Sequence, residues 1–266
     1  MLKVGAAIVL VAALAAIAGP SITPFDPANQ ELPLRLFGPS VVHPFGLDEL
    51  GRDILARVIA GARISFFVAI VVVCVSAVIG TMLGAIAGYF GGVADDLISR
   101  VIDTLLAFPG LLLAIALVAV LGPSLGNVLF ALTIIGWVGY ARLVRGQVLR
   151  ARELDYVQAA RALGATSSRV LLRHVIPTAT SAVVVQATLG MAGAILGEAA
   201  LSFLGLGVQP PTPSWGTMLN GGRAHLLDAP HLTLFPGLAI AFLVLGFNFL
   251  GDGLRDLTDP KRRGRA

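Results

Sequence analysis

Few residues of this chain have the types and spacing that support catalysis. The run Gly122-Pro123-Ser124-Leu125-Gly126 satisfies the G-x-S-x-G pattern of serine hydrolases. That pattern has a catalytic meaning only where a strand leads into it and a histidine partner is available. Here it lies in a predicted turn between two apolar runs. The histidines all fall outside the predicted hydrophobic segments, at positions His43, His174, His225 and His231. The sequence therefore argues against hydrolase chemistry.

The sequence also contains no motif for binding a cofactor or a metal ion. No G-x-x-x-x-G-K-[ST] phosphate-binding loop occurs in the sequence, so the chain is not expected to bind and split ATP by that route. Cys74 is the single cysteine, which excludes an internal disulfide and a cysteine-based zinc site. We therefore expect no catalytic, metal-binding or cofactor-binding residue, and we predict that the chain is not an enzyme.

One carboxylate is a candidate functional group. Glu198 is the only ionisable residue in the apolar run 178–204. Carboxylates inside a membrane are costly and commonly functional, so Glu198 is a candidate intramembrane polar site. The alternative is a structural role, in which Glu198 lies near the outer end of its helix and reaches water or pairs across an interface.

The composition identifies the environment in which these residues must be placed. The chain of 266 residues is 56% hydrophobic and 13% charged, and its mean hydropathy is +0.88. These values are typical of a polytopic membrane protein and exclude a soluble globule. The net charge is +4, and its basic clusters indicate cytoplasmic flanks of membrane spans, with no nucleic-acid surface.

Six apolar runs predict six transmembrane helices with both termini in the cytoplasm. The runs cover about 4–19, 64–89, 101–121, 128–149, 178–204 and 232–250. The first helix, in segment 1–19, is expected to be retained, although Ala16-Ile17-Ala18 also resembles a signal-peptidase site. Pro109 is expected to kink the third helix. The core domain is predicted at 64–254, and a basic cytoplasmic tail at 255–266.

Two outer segments are predicted between the spans. In segment 20–63 we expect Asp48 to cap an amphipathic helix on the membrane surface. Its apolar stripe would consist of Leu50, Ile54 and Val58. In the loop 206–231, Trp215 is expected to anchor at the membrane boundary; the alternative is that it packs within the loop.

Glycines recur at close spacing on two of the predicted spans. Gly80, Gly84 and Gly88 lie at every fourth residue of one run, while Gly193 and Gly197 lie in another. Such spacing leaves a flat helix surface that favours close packing of membrane helices. The alternative is that these glycines are merely tolerated.

The charged loop 150–177 lies between two apolar runs and must therefore reach water. The segment from Gln158 to Leu163 favours a short helix, which Gly164 ends in the left-handed conformation. Thr166 or Ser167 is expected to cap a second helix. The predicted apolar residues of that helix are Leu171, Leu172, Val175 and Ile176, opposite Arg169 and Arg173. Ala160 and Gly164 would form a smooth patch. The alternative is an ordinary connecting loop.

This loop resembles the EAA loop of bacterial ABC-importer permeases. The pattern is Glu-Ala-Ala, three residues, Gly, nine residues, Ile, any residue and Leu-Pro. The chain matches it at Ala159, Ala160, Gly164 and Pro177, and departs from it at Gln158, His174 and Ile176. The resemblance extends to HPFGLDELGRDILARVIAGARIS (43–65), GYFGG (88–92), GWVGYARLVRGQVL (136–149), GEAALSFLGLGVQPPTPSWG (197–216) and FNFLGDGLRDLTDP (247–260). Together these segments resemble the C-type permease subunit of dipeptide, oligopeptide and nickel importers.

The resemblance implies an all-α type I ABC-importer permease in the bacterial inner membrane. Such a chain would form half of a translocation pathway for di- or oligopeptides, with nickel, glutathione or haem as alternatives. The implied partners are a second permease, two ATPases that hold ATP and Mg²⁺, and an extracytoplasmic solute-binding protein. The binding protein is expected to dock around Leu47–Arg63 and Pro210–Trp215. The coupling residues would be Tyr156, Gln158, Ala159, Ala160, Arg161, Gly164, Arg169 and Pro177. A passive channel or membrane scaffold is the competing class.

Overall fold

The computed structural model describes residues 1–258, which form ten α-helices and no β-strand. The helices are α1 (Leu2–Ile22), α2 (Ile54–Phe90), α3 (Gly92–Leu106), α4 (Gly110–Leu121), α5 (Leu125–Ala151), α6 (Asp155–Ala162), α7 (Ser167–Val170), α8 (Ile176–Phe203), α9 (Trp215–Gly222) and α10 (His231–Thr258). The predicted all-α fold is thus confirmed. Most of the predicted basic tail, from Asp259 onwards, lies outside the described residues.

Within residues 1–258, five continuous helical segments are long and apolar enough to cross a membrane: α1, α2, α5, the continuous segment Ser167–Phe203, and α10. A sixth span requires α3 and α4 together, and their axes differ by 85°. The single helix predicted over 101–121, with a kink at Pro109, is therefore two helices. Pro109 stands directly before α4, and its missing N–H and fixed ring explain why the kink predicted there is a complete break.

Helix α2 replaces the separate surface helix that was predicted in segment 20–63. Asp53, not Asp48, caps it, and its Oδ1 accepts the N–H of Ala56 at 2.7 Å. The Asp48 carboxylate instead accepts the Arg52 backbone N–H and pairs with the Arg52 side chain at 2.7 Å. The helix then continues for 37 residues. At about 1.5 Å per residue its length is about 55 Å, well beyond the hydrocarbon thickness of about 30 Å.

The glycines of α2 form its contact with α5. A Cβ atom on Gly80 would overlap the Trp137 carbonyl oxygen, and one on Gly84 would overlap the Ala141 carbonyl oxygen. At Gly88 the nearest atom would be the Arg145 carbonyl oxygen, at 2.9 Å. The backbones of the two helices therefore approach each other along most of this contact, which only residues without a side chain permit.

Of the two glycines of α8 that were predicted to pack closely, one contacts another helix and the other does not. A Cβ on Gly197 would lie 2.9 Å from Cδ2 of Leu132. At Gly193 a Cβ would meet no atom of residues 1–258 within 4 Å. The close packing expected at Gly193 is therefore not found within the described chain, and Gly193 instead faces open space.

Trp215 is a packing residue of the outer loop. Its side chain is buried, and its indole N–H donates to the Val58 carbonyl oxygen at 2.8 Å. Gly61 of α2 leaves room for the ring. The expectation of a membrane-boundary anchor is thus wrong. The ring joins the start of α9 to the start of α2 because its single polar atom finds a partner inside the protein.

Candidate functional site

The loop between α5 and α8 folds as two helical segments around a glycine. Helix α6 ends at Ala162, and Gly164 follows with φ +82°, the left-handed conformation predicted for it. Thr166 then occupies the N-cap position of α7, but its hydroxyl makes no capping bond to the backbone. Residues 152–166 belong to none of the membrane-crossing candidates.

A wide π turn at Leu171–Val175 connects this loop to α8. In it the N–H of Ile176 bonds the carbonyl of Leu171, five residues earlier. Pro177 follows in the first turn of α8, where a proline ring would clash with the carbonyl four residues before it in a regular helix. The wider turn relieves that clash, so α7 and α8 remain one continuous helical segment.

The apolar core of the loop is packed against the membrane helices. Val157, Val170 and Val175 are fully buried, and they pack with Val144 and Val148 of α5. The predicted apolar face of the second helix is wrong at one position, because Leu172 is 66% exposed and Val170 packs instead. Val170 and Val175 are five residues apart, which matches the five-residue repeat of a π turn. A π turn contains one residue more than a regular helical turn, and Leu172 is therefore rotated away from the core.

Polar contacts also fasten α6 to its surroundings. The Arg152 guanidinium donates to the Gly88 carbonyl at the end of α2, at 3.2 Å. The Gln158 amide donates to the Arg152 carbonyl at 3.0 Å, and the Tyr156 hydroxyl to the His174 carbonyl at 3.2 Å. A glutamate at position 158 has no N–H to donate, so the departure from the Glu-Ala-Ala pattern has a structural use here.

The outward side of the loop exposes large apolar side chains. Leu163 is 88% exposed, and Leu154, Tyr156 and Leu172 are also exposed. Arg169 and Arg173 are exposed as well. Of the predicted smooth patch, Gly164 is exposed whereas Ala160 packs partly against the loop core; the neighbouring Ala159 is exposed. Exposed apolar groups outside the bilayer are typical of a protein contact surface.

One ion pair near this loop was not predicted from the sequence. Arg145 of α5 binds Asp95 of α3 through two bonds, Nε to Oδ1 at 2.6 Å and Nη2 to Oδ2 at 2.7 Å. Such paired geometry is the strong form of an Arg–carboxylate contact. Two features of the sequence could have indicated this pair: Arg145 lies near the end of an apolar run, and Asp95 and Asp96 lie in a loop before the preceding run. The pair ties the beginning of α3 to the helix that enters the loop.

Glu198 lies inside the protein, beneath the outer loop. Its side chain is fully buried, and Oε1 accepts the Ser202 hydroxyl at 2.6 Å. Oε2 makes no hydrogen bond of good geometry among residues 1–258, although the Ser214 hydroxyl lies close enough to interact with the carboxylate. Gly216 of α9 packs directly on Ala199 and Ser202, which closes the site from outside. Glu198 therefore neither reaches water nor presents itself for a partner, contrary to the expected alternative.

The outer surface predicted to meet a binding protein is largely internal. Leu47 and Ile54 are buried, and so is Trp215. Within the two predicted stretches, Glu49 and the segment 210–212 are exposed. The prediction is therefore wrong for much of Leu47–Arg63, because residues 54–63 form the beginning of α2 and about half of the stretch is buried, although Arg63 is exposed.

Comparisons with known proteins agree with this arrangement. Residues 80–264 match the family described as binding-protein-dependent transport system inner membrane component. The dipeptide transport system permease protein DppC of Alkalihalophilus pseudofirmus is 48% identical over 260 residues, 98% of this chain and 86% of that protein. The glutathione transport system permease protein GsiD of Escherichia coli O6:K15:H31 is 48% identical over 265 residues, 99% of this chain and 88% of that protein.

The fold has a counterpart among solved structures. A chain of the MetNI methionine ABC transporter in an inward-facing conformation superposes with a TM-score of 0.61 at 18% identity, covering 76% of this chain and 96% of that chain. The predicted permease fold is thereby confirmed, as are a multi-pass location in the inner membrane and the expectation that the chain is not itself an enzyme. An inner membrane component of such a transport system functions together with other proteins of that system. This chain belongs to the family of inner membrane components of binding-protein-dependent transport systems.

Proposed function

We propose that this chain is a permease subunit of an ATP-driven importer and forms half of the translocation pathway for dipeptides or other short peptides such as glutathione. The relatives named for dipeptide and for glutathione transport, each aligned over nearly the whole chain, support this substrate class. The proposed cargo is therefore a small molecule with peptide bonds.

The loop 155–177 is proposed to dock in a groove of an ATPase subunit. The observation that carries this step is the exposure of Leu163, Leu172 and Tyr156 on a segment that lies outside the membrane-crossing candidates. The same segment is packed on α5 and α2 and continues into α8. A force applied to the loop would therefore move these helices as levers, and Arg169 and Arg173 would pair with acidic groups of the ATPase.

The assembly is proposed to contain four further subunits. A second permease completes the pathway, two ATPases bind ATP and Mg²⁺ and face the loop, and an extracytoplasmic solute-binding protein delivers the peptide. Both termini of this chain are proposed to lie in the cytoplasm, on the side of the ATPases. Exposed apolar residues of α4, including Leu111, Leu112 and Val120, support a contact with lipid or with the second permease.

A matched pair of substitutions tests the docking. Leu163 and Leu227 are both almost fully exposed leucines outside the membrane-crossing candidates, so neither substitution should disturb the core. We expect Leu163→Glu to abolish copurification of the ATPase with the assembled permease, and Leu227→Glu to leave it unchanged. Equal copurification of the ATPase with both variants would contradict docking through this loop.

Reconstitution tests the function itself. Liposomes that hold the complete assembly should take up labelled dipeptide only when ATP and the binding protein are present. This chain alone should take up none. Uptake by the isolated chain without ATP would replace the proposal with the passive channel.

A further inference from the structure

A polar pocket of about 290 Å³ lies between α3 and α5, beside the ion pair that joins these two helices. Its lining consists of Ser99, Ile102, Asp103, Arg142 and Arg145. The volume is close to the lower end of the range for small-molecule sites, about 300–1,000 Å³. The pocket is therefore large enough for a small charged group.

The pocket contains one cation and one anion that the chain leaves unpaired. Arg145 is engaged by Asp95 through two bonds, and the Ser99 hydroxyl also donates to Asp95, at 3.3 Å. Arg142 and Asp103 are exposed, and neither side chain forms an ion pair or a hydrogen bond within residues 1–258. Two free charges of opposite sign thus line the same pocket.

The pocket lies at the edge of the hydrocarbon layer, on the side of the loop 155–177. Helix α5 carries no charge from Leu125 to Ala141. At about 1.5 Å per residue this run is about 26 Å long, close to the hydrocarbon thickness of about 30 Å. Arg142 is the first charged residue after it. Ile102 of α3 belongs to the same buried cluster as Ala141, which brings Asp103 to a similar level.

The two free charges select against most simple ligands. An inorganic anion would pair with Arg142 but would meet Asp103, and a metal cation would be repelled by Arg142. A zwitterion satisfies both charges. At the membrane boundary, a phospholipid with a phosphate and a primary ammonium supplies such a group, and a guanidinium binds phosphate well. Leu106 and Phe108, which follow on the chain, are about half exposed and available to the acyl chains.

We propose that this pocket binds the headgroup of phosphatidylethanolamine, with Arg142 on the phosphate and Asp103 on the ammonium. Ile102 is the only buried residue of α3 within the described chain, so few contacts hold this helix in place. The bound headgroup joins α3 to α5 beside the ion pair of Arg145 and Asp95. A membrane lipid thereby stabilises the position of α3, whatever the cargo of the transporter.

Native mass spectrometry of the complete assembly, delipidated in detergent and mixed with phosphatidylethanolamine, tests the site. Arg142→Gln and Asp103→Asn each remove one charge that has no partner in the described chain, so the thermal midpoint without lipid should not change. We expect each variant to bind one lipid about tenfold more weakly, because a charge-assisted bond is lost. Arg150→Gln and Asp96→Asn are matched controls at exposed positions of the same helices outside the pocket, and should bind lipid normally.

The choice of lipid tests the role of the carboxylate. The quaternary ammonium of phosphatidylcholine has no N–H to donate, so the wild type should prefer phosphatidylethanolamine severalfold, and Asp103→Asn should lose this preference. Soluble glycerophosphoethanolamine has the same charges but no acyl chains, and its displacement of the lipid at equal concentration would replace the lipid with a free zwitterion and overturn the proposal.

Two further results would also overturn it. One is equal lipid binding by the wild type, Arg142→Gln and Asp103→Asn. The other is loss of the second permease from the purified assembly in these variants, since the two charges would then pair with that subunit and not with a lipid.

Discussion

The guanidinium carbon of Arg161 lies 5.0 Å from the centre of the Tyr89 ring. Arg161 belongs to α6 in the loop, and Tyr89 stands at the end of α2, so a single cation–π contact joins two elements far apart in sequence. The Nε atom of Arg161 is buried without a hydrogen-bond partner in the described part of the chain. The Tyr89 ring therefore stabilises the buried side of the Arg161 guanidinium.

Tyr89→Leu should loosen the loop from α2. Loss of a cation–π contact of this kind costs about 1 kcal/mol. The expected result is a lower thermal midpoint and weaker stimulation of ATP hydrolysis by loaded binding protein. Tyr89→Phe keeps the aromatic ring and should retain most of both quantities. Equal behaviour of the two variants would show that the contact contributes nothing.

Gly164→Val should uncouple ATP hydrolysis from uptake. Nothing lies within 4 Å of a Cβ at this position, so the expected damage comes from the backbone, whose φ is +82°. A β-branched residue is strained there by about 1–2 kcal/mol, whereas asparagine tolerates the left-handed conformation. Gly164→Asn is thus the matched control and should transport peptide nearly normally. Unchanged uptake in Gly164→Val would count against the rigid geometry proposed for the loop.

Gly84→Ala should destabilise the protein through the contact between α2 and α5. Its Cβ would overlap the Ala141 carbonyl oxygen, so one backbone must move, at a cost of about 1–3 kcal/mol. Gly146→Ala meets no neighbour within 4 Å and should be neutral or slightly stabilising. Thermal unfolding in detergent, read from tryptophan fluorescence, distinguishes the two. A Gly84→Ala protein as stable as the wild type would mean that the helices are not in close contact.

Glu198 is expected to act through its hydrogen bond and not through its charge. Glu198→Gln keeps an oxygen that accepts the Ser202 hydroxyl, so uptake and stability should change little. Glu198→Leu leaves that buried hydroxyl without its acceptor and should cost about 1–3 kcal/mol. A Gln variant with a normal thermal midpoint but no uptake would show that the carboxylate itself is required.

The sequence predicted best where the signals are local. Gly164 alone indicated the end of α6, and Pro109 indicated a disruption that became the break between α3 and α4. In each case one residue restricts its own backbone, and no distant contact is needed to see the effect.

The failures involve contacts over long distances in the chain. The surface helix predicted within 20–63 would have placed Arg57 and Arg63 in water. In the structure Arg57 is buried and donates to the Pro27 carbonyl at 3.0 Å. Arg63 donates to the Ala16 carbonyl of α1 at 2.6 Å. Trp215 was misplaced for the same reason, since its partner lies 157 positions away.

The π turn at Leu171–Val175 also acts on residues well beyond it. A regular helix advances about 100° for each residue, so one additional residue in the turn fixes the rotational phase of the whole of α8. At that setting Gly190 faces the Tyr140 hydroxyl of α5, and Gly193 faces open space. Removing a single residue from the turn would rotate both glycines by about 100° around the axis of α8. The geometry of the loop and the packing of the distant half of α8 therefore depend on each other.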